Sequence, residues 1–246
     1  MAPLDDAALL ALWEAALARP EPLRGTALLA MGEPGADELA LTGLPLGEFA
    51  WRLLGLHARW FGPALRCACE CPACGGAVEA DCDALTLLGA APQEGAADAA
   101  LEVVQAGYTV RFRLPTPLDL AHAASADAAA DARMRLLDRC VLDASHGDKP
   151  CVPGDLPHGV TVAIAEMMEH ADPLADIGLA LQCPACGTAW TAALDPARFL
   201  LAAVDQAARR IMADVHLLAR AYGWTEAETL ALGRARRRAY IELAGA

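Results

Sequence analysis

Two matching pentapeptides carry the residue types best suited to chemistry: Cys71-Pro72-Ala73-Cys74-Gly75 and Cys183-Pro184-Ala185-Cys186-Gly187. A Cys-x-x-Cys turn aims both thiolates at one point. The glycine that follows supplies the positive φ that lets backbone N–H groups approach the sulfurs. One such pair would suit thiol–disulfide exchange equally well. Two near-identical copies point instead to one tetrahedral site with Cys71, Cys74, Cys183 and Cys186 as ligands, holding a single structural Zn2+. Protein ligands would fill all four positions. Such a site staples a fold and does no chemistry of its own.

The other five cysteines fit this scheme less well. Cys67 and Cys69 precede the first knuckle, which puts four cysteines, Cys67, Cys69, Cys71 and Cys74, within eight residues and makes a local cluster the alternative. In a strand, however, a Cys-x-Cys pair spans about 7 Å along one face. Cys67 and Cys69 are therefore expected to pack a strand that runs into the knuckle. Cys82 is expected to be a small core residue. Cys140 and Cys151 have no partner pattern and read as structural.

The elements that must position the knuckles are legible on both sides. Val78, Ala80 and Cys82 alternate with Glu79 and Asp81, as the return strand of a zinc hairpin should. Ile177, Leu179 and Leu181 alternate into the second knuckle, and Thr188, Trp190 and Ala192 alternate out of it. Helices are expected over 4–18, 24–31, 46–61, 128–142 (Met134, Leu137 and Val141 inward) and 158–171. His57, in the third of these, has no ligand partner at i±4 and reads as a half-buried or surface histidine. A half-buried strand is expected over Tyr108–Leu114, followed by a helix start at Thr116-Pro117-Leu118-Asp119. Residues 90–100 and 144–157 read as loops. The longest helix is expected over 196–222, capped by Asp195 and stopped by Gly223. Thr225 and Glu228 form a capping box for a short helix, and a basic helix runs from Arg234 to Leu243.

This pattern predicts an α+β fold, mostly helical: a split four-cysteine zinc ribbon with a small antiparallel sheet, a helical insertion and C-terminal helices. The expected organisation is an N-terminal helical region (1–62), the split ribbon (63–82 and 177–194), a mainly helical insertion with one strand (83–176), and a C-terminal helical region (195–246).

Composition bounds the function. The net charge of −13 argues against general binding to a phosphate backbone. The charge is uneven, because residues 209–246 hold seven Arg against four acids. Arg236, Arg237 and Arg238 are candidates for a docking surface that meets an acidic partner, although a solvated helix face has the same look. Asp5 and Asp6 stand where the basic region of a signal peptide would be, and no apolar run approaches the ~18 residues that span a bilayer. With nine cysteines, an odd number, a reducing cytosol with bound metal is expected rather than a disulfide scaffold. No phosphate-binding loop is present, since Gly147-Asp148-Lys149 runs into Pro150. Ser125 and Ser145 sit in no nucleophile pattern. Glu166 and His170 lack the second histidine of a zinc-protease helix. The chain is not expected to be an enzyme.

The order of these features resembles a known family. Trp60-Phe61-Gly62-Pro63 leads to the first knuckle. A strand runs into Phe112-Arg113-Leu114-Pro115-Thr116. Asp172-Pro173, the second knuckle and a long helix follow. The chain closes on Tyr222-Gly223-Trp224-Thr225-Glu226-Ala227-Glu228 and Arg236-Arg237-Arg238-Ala239-Tyr240. From about residue 46 onward this is similar to the baseplate hub assembly chaperones of T-even-type phages. It is closest to their bacterial relatives in gene clusters for phage-tail-like contractile injection systems. Cys67 and Cys69 are not part of that pattern, and the first 45 residues match loosely. The resemblance implies a non-catalytic, cytoplasmic factor, either transient or retained in a phage-like particle, whose partners are hub or spike proteins of a contractile baseplate. A zinc-ribbon module that binds nucleic acid is the alternative, and a permanent baseplate subunit is a third reading. The C-terminal helices, with Tyr222, Trp224 and Tyr240 as aromatic anchors, are then the expected contact.

Overall fold

The structure is a computed structural model, which describes residues 4–89 and 100–245. Four helices open the chain: α1 (Asp6–Leu17), α2 (Arg24–Gly32), α3 (Glu38–Thr42) and α4 (Leu46–Phe61). A hairpin of β1 (Ala64–Glu70) and β2 (Ala77–Asp83) carries the first knuckle at its tip and runs into α5 (Ala84–Leu88). The inserted segment contributes β3 (Leu101–Gln105), β4 (Tyr108–Phe112), α6 (Pro117–Ala123), α7 (Ala129–Cys140), β5 (Val141–His146), β6 (Lys149–Pro150) and α8 (His158–Ala171). A second hairpin, β7 (Ile177–Gln182) and β8 (Ala189–Leu194), carries the second knuckle. It runs into α9 (Pro196–Tyr222), α10 (Glu226–Leu230) and α11 (Arg234–Ala244). The fold is α+β, about 56% helical, and its sheets are small and antiparallel.

The largest core gathers the first helices on α9. Leu200, Val204, Ala208 and Ile211 recur at helical spacing along α9 and bury against Leu9, Leu12, Leu28, Leu29, Phe49, Leu53 and Leu56. Trp13 Nε1 adds a polar tie by donating to Asp205 Oδ1 at 2.9 Å. A second core lies where the two hairpins meet α4: Leu54, Leu65, Cys67, Ala84, Leu174, Ile177 and Leu194. Both hairpins end in the same device. Asp83 and Asp195 each accept a hydrogen bond from the first turn of the helix that follows.

One contact fixes the entry to α4. The Gly47 N–H donates to Asp172 Oδ2 at 2.9 Å, so a carboxylate from the end of α8 caps a helix 125 residues earlier. A Cβ at position 47 would overlap that carboxylate, which is why the position holds glycine. At the other end of α4, His57 is buried. Its Nδ1 lies 3.1 Å from the Gly62 carbonyl, which can only accept, so Nδ1 carries the proton.

The inserted segment corrects three expectations. It holds a four-stranded sheet in the order β3-β4-β5-β6, not one strand. The helix expected over 128–142 ends at Cys140, and Val141 begins β5, which occupies the start of the region read as loop. Met134 is exposed rather than inward. Only one residue in each of β3 and β5, Val103 and Ala144, is buried, so neither strand shows alternation in the sequence. The β3–β4 turn is made by Ala106 (φ 52°) and Gly107 (φ 81°), the positive-φ pair of a tight hairpin turn, without the usual Asn-Gly signal. Phe112, Val110, Val160 and Ile164 form the core between this sheet and α8. The loop expected over 90–100 lies, up to residue 99, outside the described residues.

Candidate metal centre

The two knuckles have one backbone geometry. The N–H of Cys71 donates to the Gly76 carbonyl and that of Gly75 to the Cys71 carbonyl, both at 2.9 Å. The N–H of Cys183 donates to Thr188 and that of Gly187 to Cys183, again at 2.9 Å. Gly75 and Gly187 have φ of 69° and 76°, the left-handed conformation that this turn requires and that a Cβ disfavours.

The knuckles interleave. Cys71 Sγ lies 3.6 Å from Cys186 Sγ, and Cys74 Sγ lies 3.7 Å from Cys183 Sγ. All four sulfurs fall within 4.8 Å of one another. A tetrahedron of sulfurs with metal–sulfur bonds of about 2.3 Å has edges of about 3.8 Å. The cluster is therefore close to the size a tetrahedral metal ion demands, and the four cysteines can hold one. Cys71 and Cys183 are buried, with Val78 and Trp190 packed beside them, while Cys74 and Cys186 face solvent. The Thr188 hydroxyl, 3.3 Å from Cys186 Sγ, and the Thr188 N–H hold that thiol down to about 6. The Gly76 N–H would do the same for Cys74, but the three neighbouring sulfurs push it up to about 12. Four thiols this close cannot all ionise without a cation among them.

The remaining cysteines stay outside the cluster. Cys67 does not join a local site with Cys69, Cys71 and Cys74. It lies diagonally across the first hairpin from Cys82, with the sulfurs 3.9 Å apart. Burial first, and then Cys82, pushes the Cys67 thiol up to about 12. Cys140 is fully buried beside Asp119, and burial raises its thiol to about 11. Cys151 is half-buried at the edge of the insertion core.

The expected C-terminal contact residues divide. Tyr222, Trp224 and Tyr240 form one aromatic cluster. Tyr222 stacks on Trp224 at 4.9 Å between ring centroids, and Tyr240 meets Trp224 edge-on at 4.8 Å. The Tyr222 hydroxyl donates to the Tyr240 carbonyl at 3.2 Å, which ties the end of α9 to α11. Arg236 and Arg238 are exposed. Arg237 is not available to a partner, contrary to expectation: only 4% of it is exposed. Its Nη2 donates to Asp6 Oδ2 of α1, and its Nε lies 3.2 Å from Asp214 Oδ2 of α9. Arg234 joins from the helix start, with Nη2 at 2.8 Å from Asp6 Oδ1. The i, i+1 position of Arg237 between two exposed arginines gives the physical reason. Only one of three consecutive helical residues can face the bundle.

The sequence carries no signal for the Asp6–Arg237 pair or for the Asp172 cap, since their partners lie far away in the chain. The approach of Cys67 to Cys82 follows from the register of the first hairpin, in which Leu65 opposes Cys82 and Cys67 opposes Ala80, so the two cysteines are diagonal neighbours on one face.

The chain matches no family model, no curated protein and no solved structure. No helix among the described residues is long and apolar enough to cross a membrane.

Proposed function

We propose that the chain is a zinc-stapled, non-catalytic assembly factor for the baseplate hub of a phage-like contractile tail or injection system. Cys71, Cys74, Cys183 and Cys186 would hold one Zn2+ and join the hairpins as a split ribbon. The ion's chemistry there is structural: it neutralises thiolates and closes the chain. With four sulfur ligands it keeps no open position for substrate.

The observation that carries the partner reading is the C-terminal face. Tyr222, Trp224 and Tyr240 make an aromatic patch flanked by exposed Arg236 and Arg238, on a chain whose net charge is −13. Aromatic and arginine side chains are the residues that dominate protein interfaces. These same segments carry the resemblance to hub assembly chaperones. An assembly factor of this kind covers apolar hub surface until the proper partner displaces it. The exposed arginines also favour the second reading, a zinc-ribbon module that touches phosphates, which the overall negative charge opposes.

Affinity capture of the tagged protein from its own host at mild salt, read by mass spectrometry, tests the proposal. Recovery of hub or spike proteins supports it, and the copy number in finished particles separates a chaperone from a permanent subunit. Recovery of polymerase or ribosomal proteins, with steep salt dependence, would favour the nucleic-acid module.

A further inference from the structure

Outside the metal centre, Cys67 Sγ and Cys82 Sγ lie 3.9 Å apart, diagonal to each other on one face of the first hairpin. Both are free thiols. Cys67 is 5% exposed, inside the core where the hairpins meet α4, and Cys82 is half-buried at the edge of that core. A disulfide brings its sulfurs to about 2.05 Å, so the pair must close by about 1.9 Å. Rotation of the two side chains brings the sulfurs closer. Diagonal partners stand at the outer reach of a disulfide, so the strands must also draw together slightly. A bond made under that strain reduces readily.

The two thiols differ in a way that gives each a role. Cys82 is partly open to solvent, whereas Cys67 is closed off from it. Burial raises the Cys82 thiol, and the S–H of Cys67, donating to the Cys82 sulfur, offsets part of that rise. The first thiolate therefore forms at the sulfur that an oxidant can reach, and the buried sulfur stands next to it. Among the described residues, Cys140 and Cys151 have no sulfur in hydrogen-bonding contact.

We infer that Cys67 and Cys82 form a modification site, which hydrogen peroxide converts to a reversible disulfide across the first hairpin. The Cys82 thiolate attacks one peroxide oxygen. The O–O bond breaks, a sulfenic acid forms, and the hydroxide that leaves takes up the proton released by Cys82. Cys67, deprotonated in turn, attacks the Cys82 sulfur. The S–S bond forms, the S–O bond breaks, and a second water leaves. The sulfurs together lose two electrons, which the peroxide gains. The link closes a loop over residues 67–82 that includes Cys71 and Cys74, so it keeps the strands of the first knuckle paired when metal departs. That consequence rests on the metal reading, whereas the cross-link itself does not.

Peroxide treatment of the full chain, alkylation of the remaining thiols and digestion after arginine and glutamate, read by mass spectrometry, tests the site. The fragment Cys67–Glu70 should appear joined to the fragment that begins at Ala80, two hydrogens lighter than the separate parts, and dithiothreitol should release them. Cys69 opposes Val78, so Cys69→Ser should keep the cross-link, while Cys67→Ser should abolish it. Cys151, half-buried, is the internal reference for dose. Full alkylation of Cys67 and Cys82 in wild type at a dose that oxidises Cys151, or a link from Cys82 to any other cysteine, would overturn the inference. The wild-type map is decisive even where the Cys67→Ser protein does not fold.

Discussion

Cys71 and Cys186 place their sulfurs 3.6 Å apart although 115 residues separate them in the chain. The pair, with its counterpart Cys74–Cys183, brings together the tips of two hairpins whose bases share the core around Leu65 and Ile177. Each hairpin has only two strands, and such a unit is marginal in water on its own. We therefore expect purified protein to contain one Zn2+ per chain by elemental analysis. Chelation or Cys186→Ser should lower the melting temperature sharply, by a loss on the order of several kcal/mol. An unchanged melting curve in metal-free protein would remove the staple.

Asp119 should make the fold acid-sensitive. Its carboxylate is fully buried. Burial alone would raise its pKa, but bonds from Arg113, Arg139 and Thr116 outweigh burial and hold it at about 2. Arg113 grips it with both Nη1 (2.5 Å) and Nη2 (3.0 Å), and Arg139 Nε adds 2.6 Å. The folded value lies below the unfolded one near 3.8, so this stability is fully present above about pH 4 and is lost as pH falls toward 2. The contribution is about 2 kcal/mol. Urea unfolding of wild type and Asp119→Asn should show a gap of at least that size at pH 7, shrinking at pH 3. A gap independent of pH would mean that the carboxylate's charge does not matter.

The capping and periodicity signals were readable because they are local. Asp195 and Pro196 begin α9 and Gly223 ends it; Thr116 and Asp119 form the capping box that starts α6. The matched knuckles announced their meeting because identical ligand turns imply one ion. What the sequence withheld is long-range and polar. Nothing at Asp172 marks it as the cap of α4, and nothing at Arg237 distinguishes it from Arg236 and Arg238. The insertion sheet hid for a different reason. On β3 the adjacent Val103 and Val104 are buried and exposed, and in β5 a register shift opposite Arg111/Phe112 leaves Leu142 as an extra, exposed residue, so the period of two is erased.

Arg237 makes a clean comparison with its neighbours. It lies buried between Asp6 and Asp214, while Arg236 and Arg238 stand in solvent. Replacing Arg237 with Met leaves Asp214 without its cation and weakens the hold on Asp6. Breaking a buried pair from one side costs about 3–5 kcal/mol. Arg236→Met and Arg238→Met should each stay within about 0.5 kcal/mol of wild type, because both side chains are exposed and the polar partner of Arg238 among the described residues is the exposed Glu242. Chemical denaturation of the three variants measures the contrast, and equal effects would show that Arg237 is not the clamp of α11.

The proposed partner surface can be separated from that clamp. Trp224 is half-buried between Tyr222 and Tyr240, so Trp224→Ala removes both an exposed edge and part of the packing between α9 and α11. A loss of hub capture by this variant alone would therefore be ambiguous. The double change Arg236→Glu with Arg238→Glu reverses the exposed charge while Tyr222, Trp224 and Tyr240 stay in place. If the patch meets an acidic hub surface, the double variant should lose capture by tenfold or more at low salt, with an unchanged melting curve, since like charges across an interface cost several kcal/mol. The defect should shrink as salt screens the rim charges. Wild-type capture by the double variant, together with loss on Trp224→Ala, would make the contact apolar and leave the arginines as a solvated face. Wild-type capture by both would move the partner site away from the C-terminal helices altogether.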